Sequence, residues 1–414
     1  MINTLFVVQL LMWSNPSLAV DPGTQPWQPV KLVEEECGID SKKLIESSAG
    51  IRFPFLMIRH GKLCYEHLPN GADKPQEVFS VTKTLAALAV GAASWQTRNL
   101  IQKADESASG PLTAMDPVSD WINTAKINSA AKVAHILGQV AQSQDLDDPK
   151  QLSFSYDYTG SKQLNLLNDI IRSAIKQDPS LLGEDVDQFV NKHLFGPLGI
   201  EDSTWSRGRK NKQMAYTWVT TMRDMGRVGL LMMNKGTWNG ERLISYQWLQ
   251  NMIRPSFEEA NTGYGYLTWV NSHSNYQLPM QPKTVNGKLM GSCLPIALNY
   301  AFPHGASKAN SCNYQDEHLC QQSGDMGIWE AVGLGGHYIV GHPALDMVFV
   351  IKNAGAIADF SGPPGKVWQA IRYALLAIED DFEGNEEAFC TSYSLGLYQS
   401  RNEKTGSDQD SIFQ

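Results

Sequence analysis

The chain has 414 residues, 42% of them hydrophobic and 19% charged, with a formal net charge of −9. That length is enough for a large core or two domains. Lys and Arg are scattered, so no basic stripe marks a nucleic-acid surface, and the negative charge fits a soluble protein without selecting an activity.

Leu5 to Trp13 is a short apolar run, followed by Ser14-Asn15-Pro16 and Ser17-Leu18-Ala19. The small residues at 17 and 19 fit a signal-peptidase site, so residues 1–19 read as a signal peptide cleaved after Ala19, although Lys and Arg are missing before the run. The run falls short of the roughly 20 apolar residues of a spanning helix. No later stretch reaches that length either, so the expectation is a secreted or periplasmic protein without stable membrane insertion. The cysteines are Cys37, Cys64, Cys293, Cys312, Cys320 and Cys390. An even number beside an export signal points to disulfides of undetermined pairing, with Cys312 and Cys320 near enough to close a short loop. No Cys/His spacing suggests zinc, and no metal or organic cofactor is expected.

After an extended, Pro-containing lead-in over 20–36, Asp40 caps a helix beginning at Ser41. Ile51 to Ile58 and Leu63 to His67 form a β-hairpin turning at His60-Gly61. A polar loop then leads to Phe79-Ser80-Val81-Thr82-Lys83-Thr84, which opens an Ala-rich apolar helix. From 96 to 200 helical spacings dominate, with faces at Val118–Ile122, Ala130–Val140, Leu164–Ile171 and Val186–Val190. Thr221-x-x-Asp224 boxes the start of a further helix. Trp238-Asn239-Gly240 is a turn, and Tyr264 to Val270 reads as a strand. Residues 272–329 are long, polar and hold three cysteines, which marks a lid or binding loop. Val332 to Val340 and Met347 to Lys352 read as paired strands, Val367 to Ile378 as a helix, and 396–414 as a mobile tail. The expected architecture is an α/β (α+β) sheet domain from residues 20–95 and 201–395, with a mostly helical domain, 96–200, inserted between. The cleft where they meet is the expected site.

The chemistry begins at S-x-x-K. A helix turns once in about 3.6 residues, so Ser80 and Lys83 share a face. Ser80 lies at the helix start, where free N–H groups and the dipole favour developing negative charge. The apolar residues that follow bury the helix, and burial disfavours the ammonium form of Lys83. A hydroxyl becomes a useful nucleophile when such a base takes its proton. A capping serine and a surface lysine on an ordinary buried helix is the plain alternative. A second group is Tyr156-Asp157-Tyr158: a tyrosine near a cation can hold a depressed pKa and relay a proton, or be no more than a packed aromatic in a turn.

The order of these segments resembles the serine β-lactamase and penicillin-binding protein superfamily, and more closely its class C-like branch of carboxylesterases and 6-aminohexanoate-dimer hydrolases. The resemblance spans most of 40–380. It is carried by Met57-Ile58-Arg59-His60-Gly61-Lys62, Ser80-Val81-Thr82-Lys83, Leu194-Phe195-Gly196-Pro197-Leu198-Gly199-Ile200, Arg223-Asp224-Met225-Gly226-Arg227-Val228-Gly229-Leu230, Gly236 to Ile244 and Gly333-Leu334-Gly335-Gly336-His337-Tyr338. It implies a β-lactamase/transpeptidase-like fold with an antiparallel sheet. It also implies an acyl-enzyme on Ser80, Lys83 as general base and Tyr156 as the tyrosine of a Y-x-N motif. The oxyanion hole would combine the Ser80 N–H with one near Gly335, Gly336 and His337. Tyr158 stands where that motif has Asn, so either phenol is a candidate, with Tyr156 preferred. The late K-T-G motif is unmatched: Gly333-Leu334-Gly335 has no cation, and Lys404-Thr405-Gly406 sits in the polar tail. The resemblance therefore implies a small neutral ester or amide as substrate. A β-lactamase or D,D-peptidase using the same serine, and a non-catalytic ligand-binding module, are the alternatives.

Overall fold

The computed structural model describes residues 20–103, 108–261, 263–271, 328–343, 346–355 and 377–378, with short strands at Gln277–Pro279, Lys283–Val285, Lys288–Met290 and Cys320–Gln322. The expected signal peptide, most of the 272–329 insert, nearly all of the 367–378 segment and the 396–414 tail lie outside the described residues, as do Cys293, Cys312 and Cys390.

Six strands form one sheet: β1 Phe55–Arg59, β2 Lys62–His67, β3 Trp269–Asn271, β4 Ile328–Gly333, β5 His337–His342 and β6 Met347–Ile351. Their order is β2-β1-β6-β5-β4-β3, with every neighbouring pair antiparallel. The register Phe55↔Ile351 to Arg59↔Met347 joins the N-terminal hairpin to the last described strand. His60 and Gly61 both have positive φ, 52° and 73°, as a tight two-residue hairpin turn requires. Strands β1, β5 and β6 are buried along their whole length, so both faces of the sheet are covered. This is the expected α/β class with an antiparallel sheet.

Helix α1, Val81–Thr97, is buried without interruption from Val81 to Ala93. A helix apolar on all sides has to sit inside the protein. It lies between β4 and helix α2, Leu166–Ile175. Helix α3, Met222–Met233, covers β1, β5 and β6. Two of its glycines let it approach closely: a Cβ on Gly229 would lie 2.6 Å from Val348 Cγ1, and one on Gly226 would lie 2.9 Å from Ile58 Cδ1.

Local differences from the sequence expectation have identifiable causes. The lead-in is helical at Val33–Cys37, where acidic residues fill the first turn and Gly38 closes it at φ 60°. The run Tyr264 to Val270 is not one strand. Gly265 N–H donates to Thr268 O and Leu267 takes φ 51°, so the chain turns back and only Trp269–Asn271 joins the sheet. The run 332–340 likewise breaks at Leu334–Gly336 into the β4–β5 turn. The one disulfide among the described residues joins Cys37 to Cys64 on β2, a pairing that spacing alone left open.

A Cβ on Gly91 would lie 2.5 Å from the Trp248 indole, whose Nε1 donates to Ala87 O at 3.0 Å. Gly91→Ala should therefore destabilise by about 1–3 kcal/mol despite the better helix propensity of alanine, read from a denaturant midpoint. Glu330 is 1% exposed, neither carboxylate oxygen has a partner among the described residues, and burial pushes its pKa well above the ordinary range. The folded chain thus retains a proton that the unfolded chain releases, so this group lowers stability as pH rises above about 4.3. Glu330→Gln should raise Tm at pH 7, and the gain should vanish near pH 4.

Candidate active site

Ser80 immediately precedes α1, and Phe79 before it has φ 47°, a strained conformation for a bulky residue. This reversal turns the chain from the short strand Gln76–Glu77 directly into the helix. Gln76–Glu77 pairs with Trp218–Thr220, which pairs in turn with Thr204–Trp205. Val78 N–H donates to Trp218 O at 2.9 Å, and Trp218 N–H donates to Thr82 Oγ1 at 3.2 Å. These bonds hold residues 215–218 against the first turn of α1, so the Ala215 carbonyl faces the lysine.

Lys83 is 1% exposed, and its Nζ donates to Ser80 Oγ at 3.0 Å and to Ala215 O at 3.1 Å. Burial lowers its pKa to about 7, against the smaller opposing effect of the Asp157 charge. Half of the population is then neutral near pH 7. At the same separation a neutral amine accepts a hydrogen bond from the serine hydroxyl. Nζ also lies 4.7 Å from the centroid of the Tyr156 ring.

Tyr156 is half-buried, and its ring stacks on Trp269 with centroids 5.3 Å apart and planes at 12°. Its hydroxyl lies close enough to the Ser80 hydroxyl for that contact to favour the phenolate. Burial outweighs that contact and raises the phenol above its ordinary range. The depressed tyrosine expected from a neighbouring cation is therefore corrected: the neighbour is a lysine neutral about half the time, and desolvation is the larger effect. Tyr158 is 64% exposed and meets Tyr156 edge-on at 4.8 Å. Between the two phenols, it is Tyr156 whose ring lies under Lys83 and whose hydroxyl faces Ser80. Asp157 is fully buried and accepts from the N–H groups of Gly160, Gln163 and Leu164, which pins this loop.

Gly335 and Gly336 form the β4–β5 turn with φ 92° and 81°. A Cβ on Gly336 would lie 2.7 Å from the Ala354 and Gly355 nitrogens, so the position admits only glycine. Gly333, at the end of β4, presses on the Val78 carbonyl so closely that a Cβ would be 2.1 Å from it. His337 opens β5, is 2% exposed, and faces the Phe79 ring with centroids 6.1 Å apart and planes at 25°. Burial, then the Lys352 charge, lowers its pKa to about 4, and its Nδ1 has no partner among the described residues. The hairpin thus stands beside the start of α1 with a neutral imidazole. The Lys352 charge is held elsewhere: Nζ donates to Asp73 Oδ1 at 2.9 Å, Lys74 O at 2.8 Å and Thr220 O at 3.1 Å.

Ser80, Lys83 and Tyr156 therefore meet at one point, His337 sits one residue away against Phe79, and Tyr158 lies at the exposed margin. Sequence reading missed Ala215, Trp269 and Tyr264, which complete the surroundings. The aromatic run 264–269 was visible, but its turn at Gly265–Thr268, which brings Tyr264 and Trp269 to 4.4 Å, was not.

No family model matches this chain, and no curated protein matches it in sequence. Solved structures do resemble it. A protein from Bacillus anthracis, provisionally described as a 6-aminohexanoate-dimer hydrolase, has a TM-score of 0.50 at 15% identity, with 89% of this chain and 90% of that one covered. A provisionally described β-lactamase from Bacteroides dorei has a TM-score of 0.49 at 13% identity, covering 81% and 96%. A family VIII carboxylesterase has a TM-score of 0.49 at 12% identity, covering 81% and 96%. The first likeness shows the fold: this chain has the β-lactamase/transpeptidase-like fold.

The lysine itself can be observed. With lysines isotopically labelled at Cε, Lys83 should titrate near pH 7, well separated from surface lysines near ~10.4. A Lys83 signal titrating with the surface group would show that its amine is solvated.

Proposed function

We propose that this chain is a serine hydrolase that cleaves ester or amide bonds through an acyl-enzyme on Ser80. The observation that carries the reading is the desolvated Lys83 amine, at about pKa 7, 3.0 Å from Ser80 Oγ. In the first step Ser80 Oγ bonds to the substrate carbonyl carbon as its proton passes to neutral Lys83 Nζ. The carbonyl oxygen becomes an oxyanion, which the Ser80 N–H at the helix start and an N–H from the Gly335–His337 turn would stabilise. The C–O or C–N bond then breaks, and the leaving group takes the proton from Lys83 by way of the Tyr156 hydroxyl. Water then adds to the acyl carbon as its proton passes to the amine, the bond from that carbon to Ser80 Oγ breaks, Oγ takes the proton from the amine, and the acid leaves. The raised Tyr156 phenol suits this relay, because it stays protonated and both gives and receives a proton.

The substrate reading rests on charge. His337 is neutral above about pH 4, and Lys352 is neutralised by Asp73. No described cation is thereby left at the β4–β5 turn for a substrate carboxylate, which favours neutral esters and amides over β-lactams and D-alanyl peptides. The Cys37–Cys64 disulfide and the apolar N-terminal run support an exported protein. Among the described residues no helix is long and apolar enough to cross a membrane.

A fluorophosphonate probe tests the central point. It should label the wild-type chain on Ser80 and leave Ser80→Ala unlabelled. Turnover of p-nitrophenyl butyrate should exceed that of nitrocefin. An unlabelled wild type would leave the ligand-binding alternative, and faster nitrocefin turnover the β-lactamase one.

A further inference from the structure

We infer that Gln139, 17 residues before Tyr156 and outside every recognised motif, is a positioning residue that holds the Tyr156 phenol against Ser80; this rests on the acyl-enzyme reading above. The residue follows the short helix Val133–Leu137 and Gly138, and it adopts φ 59°, a left-handed backbone unusual for a side chain of this size. It is completely buried. All its hydrogen bonds but one run to the surroundings of Tyr156: its backbone N–H caps the helix end at Ile136 O, 3.0 Å away. Its backbone carbonyl accepts from Ser155 N–H at 2.9 Å, and its Oε1 accepts from Asp157 N–H at 2.5 Å. One residue thus grips the chain on both sides of Tyr156. Its Nε2 donates to the Tyr264 hydroxyl at 2.6 Å. Tyr264 lies edge-on to Trp269 at 4.4 Å, and Trp269 in turn stacks on Tyr156 at 5.3 Å. Gln139 therefore fixes Tyr156 through its backbone neighbours and through the ring behind it.

The energetics favour that role over filling space. A buried amide without partners is costly, and a left-handed non-glycine residue adds backbone strain. Only a side chain with an acceptor and a donor at this length bridges the loop and Tyr264 together. A phenol displaced by about 1 Å from a reacting hydroxyl costs on the order of 100-fold in rate.

The test is steady-state hydrolysis of p-nitrophenyl butyrate across pH, with fluorophosphonate labelling of Ser80 in parallel. Gln139→Met keeps the length and removes both side-chain bonds. It should lower kcat by about 10- to 100-fold while KM stays within about threefold, since the substrate itself is not contacted. Gln139→Glu keeps the acceptor for Asp157 N–H and, as the protonated acid, a donor toward the Tyr264 hydroxyl. Its kcat should stay within about threefold of wild type where the carboxyl holds its proton, and fall as it ionises. Should Gln139→Met fail to fold, Tyr264→Phe removes only the far hydroxyl and should lower kcat several-fold at unchanged KM. Wild-type kcat in Gln139→Met or Tyr264→Phe, or a Gln139→Glu kcat at low pH no higher relative to wild type than that of Gln139→Met, overturns the positioning role while leaving the hydrolase reading standing. A wild-type chain that neither labels nor turns over overturns both.

Discussion

An amine taken out of water is the constraint on which this structure is arranged. Lys83 sits on a helix whose residues from Val81 to Ala93 are all buried, so its Nζ has no bulk solvent to turn to. Its charge is disfavoured by burial, which outweighs the support of the Asp157 charge. Its partners are a hydroxyl and a carbonyl, neither of which carries a formal charge. A buried lysine in that company gives up its proton near neutral pH. That property belongs to the packing of α1 between the sheet and α2 more than to the two residues of the motif.

Packing of that density demands small residues at the contacts. Gly91 admits the Trp248 indole, Gly226 and Gly229 let α3 lie flat on the sheet, and Gly333 lets β4 touch the chain before Ser80. Strain collects at the same place: Phe79, Gln139 and Leu267 all carry positive φ, and all three lie in the segments around Lys83 and Tyr156. Strained backbone persists where the surrounding bonds over-determine it. Gln139 illustrates this, since its carbonyl and side chain bond three different residues. Buried groups without partners among the described residues, such as Glu330 and His337 Nδ1, add to the cost.

Proximity in the sequence accounts for little of this surrounding network. Ser80 and Lys83 are one turn apart, but Ala215, Tyr156, Tyr264 and Trp269 arrive from three other segments. The short strand pairing of Gln76–Glu77 with Trp218–Thr220 delivers Ala215, and the turn at Gly265–Thr268 delivers the aromatic pair. Reading along the chain singles out residues whose types carry chemistry. It is blind to neutral groups whose role comes from where they are placed, such as a main-chain carbonyl or a buried glutamine.

By itself the sequence determined the local elements and the chemical types at the site. The all-apolar face of α1 requires burial, His60-Gly61 requires a hairpin, and S-x-x-K puts a hydroxyl and an amine on one helix face; these follow from helix period, turn sterics and hydropathy over a few residues. Only the tertiary structure decided that Tyr156 and not Tyr158 lies under the amine, that its phenol is raised and not lowered, that Cys37 pairs with Cys64, and that the aromatic run 264–269 folds back on itself. Desolvation, ring stacking and disulfide reach depend on which distant segments meet, and no window of adjacent residues contains that information.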